Sequence, residues 1–413
     1  MGEQRLVLSE LDNRVDITIN RNIAKDNNGI GIMQFGADNN YPQFMERVIL
    51  SSIDARVIAN MNAKFLVGGG FNDIINQQVV GKDGRGQEIT VISLLRRIAQ
   101  SLSMHNGALV HVNYSFENPK DPRIIDIKPI PFKNCRFTKP NDLGYCAKVA
   151  VYDNWENDPN VKFDRSRIRF FNTYTRSVPI LLDQVRNNGG VLNHKGHVAF
   201  LFLDNHYLYP PSPFDPVYLD CDTQANIGVF KNNQIRNGFT DKMVFRVAGD
   251  PDNVAEIAQH LRQMMGPDGD NCTVIEDKIN PETNRIDKEH DVLAEKITTN
   301  INDKLFENWE RTLSNNIRKA NMIPQILIDY ETSNLGTTSG ESISQAVNLY
   351  NELTKDDRAC ISQFFRDIFS RSANEVLRNN TDWDIRPLNL MITANQNIQN
   401  DGKSTDMGAT ARV

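Results

Sequence analysis

The sequence predicts an α+β protein, and three features point there. An apolar run with helical spacing follows the turn Asp38-Asn39-Asn40. A helix, a glycine and three β-rich runs then follow one another between residues 91 and 152. Beyond residue 214, two long helical segments enclose a short stretch of mixed character. Helices backing a sheet made of successive hairpins are the signature of the α+β class.

Residues 1 to 34 are polar, with strand-like alternation from Val15 to Ile19. Pro42 suits the first position of a helix, where a missing N–H costs nothing. Phe44, Met45, Val48, Ile49, Ile53, Val57, Ile58 and Met61 keep a helical period, and Gly68-Gly69-Gly70 ends it. Residues 72 to 90 form a polar loop or hairpin. Val91, Leu94, Leu95, Ile98, Ala99 and Leu102 mark a second helix that stops near Asn106-Gly107. Strands are expected at 108–114, 124–130 and 147–152, joined as an antiparallel sheet, with further strands at 168–171 and 198–203.

Asp215-Pro216 reads as an N-cap followed by Pro at the first helical position, and Asn237-Gly238 as the stop. The helix between them should be roughly 33 Å long. A small α+β insert follows at 239–286, with strands near Met243 to Val247 and Cys272 to Glu276 and a helix from Asp252 to Met265. A second long helix is expected from Asp287 to Asn321, stopped before Pro324. Its apolar residues, Leu293, Ile297, Ile301, Leu305, Trp309, Leu313 and Ile317, recur every four positions. Four residues turn an α-helix by about 400°, so the stripe drifts ~40° per step. Such a stripe meets different neighbours along its length, which suits packing between identical subunits through Leu305, Trp309, Leu313 and Ile317. A strand from Gln325 to Asp329 and a Thr/Ser/Gly-rich stretch at 332–340 come next. About 40 residues of helical periodicity then follow from Ile343 to Leu377, with capping-box spacing at Thr338/Glu341 and again at Thr354/Asp357. The second box predicts a kink. Asp384 to Met391 reads as a last strand, and 394–413 as a polar tail.

Composition narrows the function. The chain of 413 residues carries a formal charge of -6, with a pI near 5.7 and a mean hydropathy of -0.47. A protein that grips nucleic acid by neutralising phosphates needs a basic excess, so a DNA partner would pass rather than be held. No run is apolar enough to span a bilayer, and Met1 to Arg5 open no signal peptide. The five cysteines form no C-x-x-C pair and read as reduced.

Catalytic motifs are missing. Gly402-Lys403-Ser404 lacks the glycine that a P-loop needs five residues earlier. Gly68 to Gly70 has no basic or hydroxyl residue in register and reads as a structural turn. His194 and His197 have no Cys or carboxylate at zinc-ligand spacing and read as a solvated loop. Asp215 reads as a cap, and Asp220 and Asp222 as anions favoured by a helix N-terminus. No catalytic residue, metal or cofactor is expected.

The order of segments resembles the portal proteins of tailed bacteriophages across about 350 residues. Local matches are Gly36 with Asp38-Asn39-Asn40-Tyr41-Pro42, Gln234 to Phe239, Ile323-Pro324-Gln325-Ile326-Leu327, and Thr338-Ser339-Gly340-Glu341. The resemblance implies a portal-like subunit with an α+β wing, two long stem helices bracketing a small α+β clip, and a long kinked C-terminal helix. In those terms the wing is 1–214, the stem helices are 215–238 and 287–321, and the clip is 239–286. The chain returns to the wing at 322–328, and a tunnel loop occupies 329–340. The kinked helix takes 341–378, and 379–413 holds a final strand and a short crown or tail. It further implies a homo-oligomeric ring of about twelve at a capsid vertex of the virion, assembled in the host cytoplasm. Implied partners are the major capsid and scaffold proteins, the large terminase subunit and a head–tail adaptor. Double-stranded DNA would pass through the channel without sequence recognition, and no membrane is involved. Asp329, Glu331, Asn334, Thr337 and Thr338 would line the tunnel loop. Asn253, Glu256, Gln259, His260, Arg262 and Gln263 would offer the clip's docking face. The competing expectation is a phosphate- or nucleic-acid-processing α+β enzyme that forms a small oligomer around a polar pocket.

Overall fold

A computed structural model describes residues 31–155, 165–236, 242–249, 272–280, 285–286, 294–297, 303–328 and 340–389. The chain divides into two units: residues up to Asn39 with Asn60–Pro210 and Ile323 onward, and Asn40–Ala59 with Pro211–Met322.

The first unit is built on helix α4 and a six-stranded sheet. Helices α1 (Tyr41–Ser51), α2 (Ile53–Val67) and α3 (Asp73–Asn76) come first, α1 and the start of α2 belonging to the second unit. The hairpin β1 (Val79–Lys82) and β2 (Glu88–Thr90) leads to α4 (Val91–His105). Thr90 caps α4 by accepting a hydrogen bond from the Ser93 amide at 3.3 Å, and Asn106 ends it in the left-handed region with φ 53°. The apolar face predicted for α4 is its buried face. The sheet runs β4 (Arg123–Ile130), β3 (Gly107–Ser115), β8 (His197–Phe202), β7 (Arg169–Thr173), β6 (Lys148–Val151) and β5 (Cys135–Phe137) in spatial order.

The β3–β4 pair is antiparallel as expected, but the sheet as a whole is mixed, because β7 and β8 run parallel. Parallel neighbours need a crossover, and helix α5 (Val178–Asn187), which the sequence reading missed, supplies it.

The C-terminal helices close the same core. Residues 340–378 form α8 (Gly340–Leu353), α9 (Lys355–Phe369) and α10 (Glu375–Arg378), with the predicted break at Thr354. The cause differs from a capping box. The Thr354 hydroxyl donates back to the Tyr350 carbonyl at 2.8 Å and accepts from Arg358 at 2.7 Å. Buried Arg358 also donates to the carbonyls of Asn351 and Phe65. Phe365, Phe369 and Trp383 stack beneath Phe71, the Phe369 and Trp383 rings lying 5.0 Å apart and nearly parallel. Asp384 to Asn389 is not the expected strand: only Arg386 bridges, to Gly70. The triple glycine lies against that segment, and a Cβ on Gly68 (φ +52°) would collide with the Arg386 carbonyl. The structural-turn reading of these glycines fits.

The second unit holds α1, the start of α2, α6 (Tyr218–Arg236) and α7 (Asp303–Ala320). The single opening helix of the sequence reading is broken at Ser52, whose backbone is extended. Ser52 then caps α2 by accepting from the Ala55 amide at 3.2 Å. Between α6 and α7 in the chain lies a four-stranded sheet ordered β11 (Arg285–Ile286), β10 (Cys272–Asn280), β9 (Lys242–Gly249) and β12 (Ala294–Ile297). The helix expected to start at Asp287 is therefore corrected: residues 294–297 pair as a strand with β9, and the helix begins at Asp303. Ile297, placed on the helical stripe, belongs to that strand. The clip helix expected at 252–265 lies outside the described residues, as do 1–30 and 390–413.

Candidate assembly surface

Helices α6 and α7 pack on each other within the second unit, and Lys231 pairs with Glu310 across them at 2.6 Å. A polar clamp fixes α1 and α2 against α6. Ser52 Oγ donates to Gln224 Oε1 at 2.5 Å, the Asp54 amide donates to the same oxygen at 3.3 Å, and Gln224 Nε2 returns a bond to Asp54 Oδ2. At the other end of α1, the Tyr41 hydroxyl donates to Asp215 Oδ1 and accepts from the Ser212 amide, both at 3.0 Å. Asp215 is thus a buried acceptor, not the helix cap expected. A 3₁₀ turn, Asp215–Val217, precedes α6, and Phe214 stands at its cap position.

This framework leaves apolar side chains outside. Phe44 and Leu50 on α1, Ile53 and Val57 on α2, and Leu219 and Val229 on α6 are all exposed. Ile53 is 74 % exposed. The sequence signal for them existed: the opening run carried more apolar residues than one helix face can bury. Read as one continuous helix, it hid the break that turns Ile53 outward.

The predicted packing stripe divides along α7. Ile317 is fully buried and Leu313 nearly so, whereas Trp309 is 48 % exposed. Leu305 belongs to the same helix. Burial along the stripe thus falls from Ile317 through Leu313 to Trp309. The tunnel-loop residues Asp329, Glu331, Asn334, Thr337 and Thr338 lie outside the described residues. So do the clip residues Asn253, Glu256, Gln259, His260, Arg262 and Gln263.

The first unit carries polar chemistry that sequence reasoning missed. Fully buried Arg136 donates to Asn39 Oδ1 (2.5 Å) and to the carbonyls of Asn39 (2.6 Å), Lys133 (2.9 Å) and Cys135 (2.7 Å). Its guanidinium lies over the rings of Phe35 and Trp155. Burial draws its pKa down to about 10, which still leaves it charged at neutral pH.

His194 and His197 do not form a solvated loop. His197 is buried on β8, its Nδ1 3.0 Å from the Tyr114 hydroxyl, and His194 packs against it with ring centroids 5.0 Å apart. Among the described residues no group of His, Cys, Asp and Glu could hold a metal ion. Cys135, Cys146, Cys221 and Cys360 are free, and burial pushes the Cys135 thiol up to about 12. Among the described residues no helix is long and apolar enough to cross a membrane.

No protein-family description and no curated protein matches the sequence. Among solved structures, the chain is similar to one in the virion of a native gene transfer agent particle. The TM-score is 0.46 at 9% identity, over 81% of this chain and 82% of that one. A chain in the neck of the empty gene transfer agent particle gives 0.46 at 9% identity, over 80% and 82%. An HK97-family phage portal protein from Corynebacterium diphtheriae gives 0.30 at 10% identity, over 72% and 86%. The fold is α+β.

Proposed function

We propose that this chain is a portal subunit that closes into a ring of about twelve, through which DNA enters and leaves a phage-like capsid. One observation carries the reading: two mutually packed helices, α6 and α7, are interrupted in the chain by a separate sheet, and their unit exposes apolar residues on α1, α2 and α6. An apolar set of this kind favours burial against a partner. The order of segments in the sequence makes that partner a second copy of the chain.

In this reading the β9–β12 sheet is the clip that meets the terminase and later the adaptor. Residues 329–340 form the loop that DNA passes. The chain contributes no bond-breaking chemistry and sits at one vertex of the virion. Mass photometry and negative-stain microscopy of the purified chain test it. A closed ring of about twelve copies is the expected result. A monomer or dimer across the micromolar range would refute the reading.

A further inference from the structure

The turn between α5 and β8 is held to the sheet by imidazoles from both sides. It runs from Gly189 to Gly196, with both glycines at positive φ. His111, on β3, bonds through Nε2 to the Lys195 carbonyl at 2.7 Å and packs its ring against Phe171. His197 pairs with Val112 in the ladder, so it shares a sheet face with Val110 and Tyr114, opposite the face of His111. On that face the His194 ring stands perpendicular to Phe116 (ring centroids 5.8 Å), and Tyr114 and His197 lie at 6.1 and 5.0 Å. Both ring nitrogens of His194 and Nε2 of His197 are buried without a hydrogen-bond partner. Gly196 permits the approach, because a Cβ there would strike the Val112 carbonyl.

We propose that His194 is the release point of an acid-sensitive clasp holding the Gly189–Gly196 turn on strand β3. A neutral imidazole tolerates this aromatic cage, but an imidazolium needs two acceptors and finds none there. Three histidines in one cluster also repel one another once two of them are charged, so the first proton disfavours the second. The surroundings offer little relief. The groups facing the cluster are Tyr114 on β3, Asp126 and Lys128 on β4, Tyr174 beyond β7 and Arg371 beyond α9. Asp126, the one carboxylate among them, faces His111, and Lys128 opposes its effect. Burial lowers the pKa of His194, as it does those of His111 and His197. His194 is the least enclosed of the three and the one with neither ring nitrogen hydrogen-bonded. Its departure frees the turn, which already carries the exposed side chains Val191 and Leu192.

Hydrogen exchange of the full chain at pH 7.5 and pH 5.5, corrected for intrinsic rates, tests this. Amides 191–198 should lose at least tenfold more protection at the lower pH than α4 and the β6–β7 pair, which report the acid weakening of the unit as a whole. In His194→Phe this excess loss at 191–198 should vanish. His194→Gln, which cannot charge but is polar, should likewise show no excess loss, even where its protection is lower throughout. A pH-dependent loss at 191–198 no greater than that of α4 in the unaltered chain overturns the proposal. So does an excess loss that persists in both variants.

Discussion

Trp309→Asp separates assembly from folding. Trp309 sits on α7 between solvent and the buried end of the stripe, and 48 % of its surface is exposed in the single chain. An aromatic side chain buries 150–250 Å² when fully covered, so about 100 Å² remains for a neighbouring subunit. At about 25 cal/mol per Å² that area contributes roughly 2.5 kcal/mol to each contact. Desolvating an unpaired carboxylate in its place adds a few kcal/mol more. The sum, about 4–6 kcal/mol, corresponds to a weakening of roughly a thousandfold or more at every subunit contact. Ile317→Asp on the same helix puts the charge where exposure is zero, and its cost of at least about 4 kcal/mol falls on folding itself. Mass photometry of the two variants, paired with thermal unfolding, reads both effects. Trp309→Asp should fold with a near-normal Tm and fail to form rings, while Ile317→Asp should unfold. Rings at the unaltered frequency in Trp309→Asp would refute packing across subunits. A Tm loss matching that of Ile317→Asp would place Trp309 inside its own subunit's core.

Arg136→Lys keeps the charge but loses the planar fork that reaches four acceptors, so urea unfolding should show a loss of about 3 kcal/mol, and an unchanged midpoint would contradict the clamp. Acid should weaken the first unit: burial holds His105 and His197 down to about 3 against an ordinary 6.5. The unfolded chain therefore takes protons first as pH falls below 6.5, and stability drops through the window from 6.5 to 3. At pH 5 the loss is about 2 kcal/mol for each, and His105→Phe should remove its share in a pH series of urea midpoints. If 329–340 is the loop that DNA passes, as proposed, lysines at Asn334 and Thr337 should slow DNA packaging at low salt while leaving rings intact, and packaging at the normal rate would remove 329–340 from the channel.

The parts of the fold that were legible are those where local signals agree with tertiary packing. Helix α4 has a capping threonine, one apolar face and a left-handed stop at Asn106, and each signal acts through its neighbours in sequence. Five of the six strands of the sheet were legible for the same reason, but β5 and the parallel pairing of β7 with β8 were not. It depends on α5, whose short apolar face (Leu181, Val185) is too brief for periodicity to reveal. Arg136 was invisible because its acceptors come from residues 39, 133 and 135 together, a set that only the folded chain brings to one place. Histidines 194 and 197 were misread because polar spacing carries no information about Tyr114 and Phe116, far earlier in the chain, which cover them.

The error at residues 294–297 bears on the assembly surface itself. A spacing of four fits a helix, and four is also an even number, so Leu293 and Ile297 could equally lie on one face of a strand. The stripe therefore could not say where strand β12 gives way to helix α7. Pairing of Ala294–Ile297 with Lys242–Phe245 decides it, because that register satisfies backbone groups of β9 on its second side, with β10 on the first. The consequence is a shorter α7 and a larger sheet than the sequence suggested. More of the chain between α6 and α7 is then committed to strands, whose backbone bonds hold β9 to both neighbours. In the proposed ring, a partner that docks there would meet a sheet fixed on both sides of β9, and the exposed apolar residues on α1, α2 and α6 would serve contact between subunits.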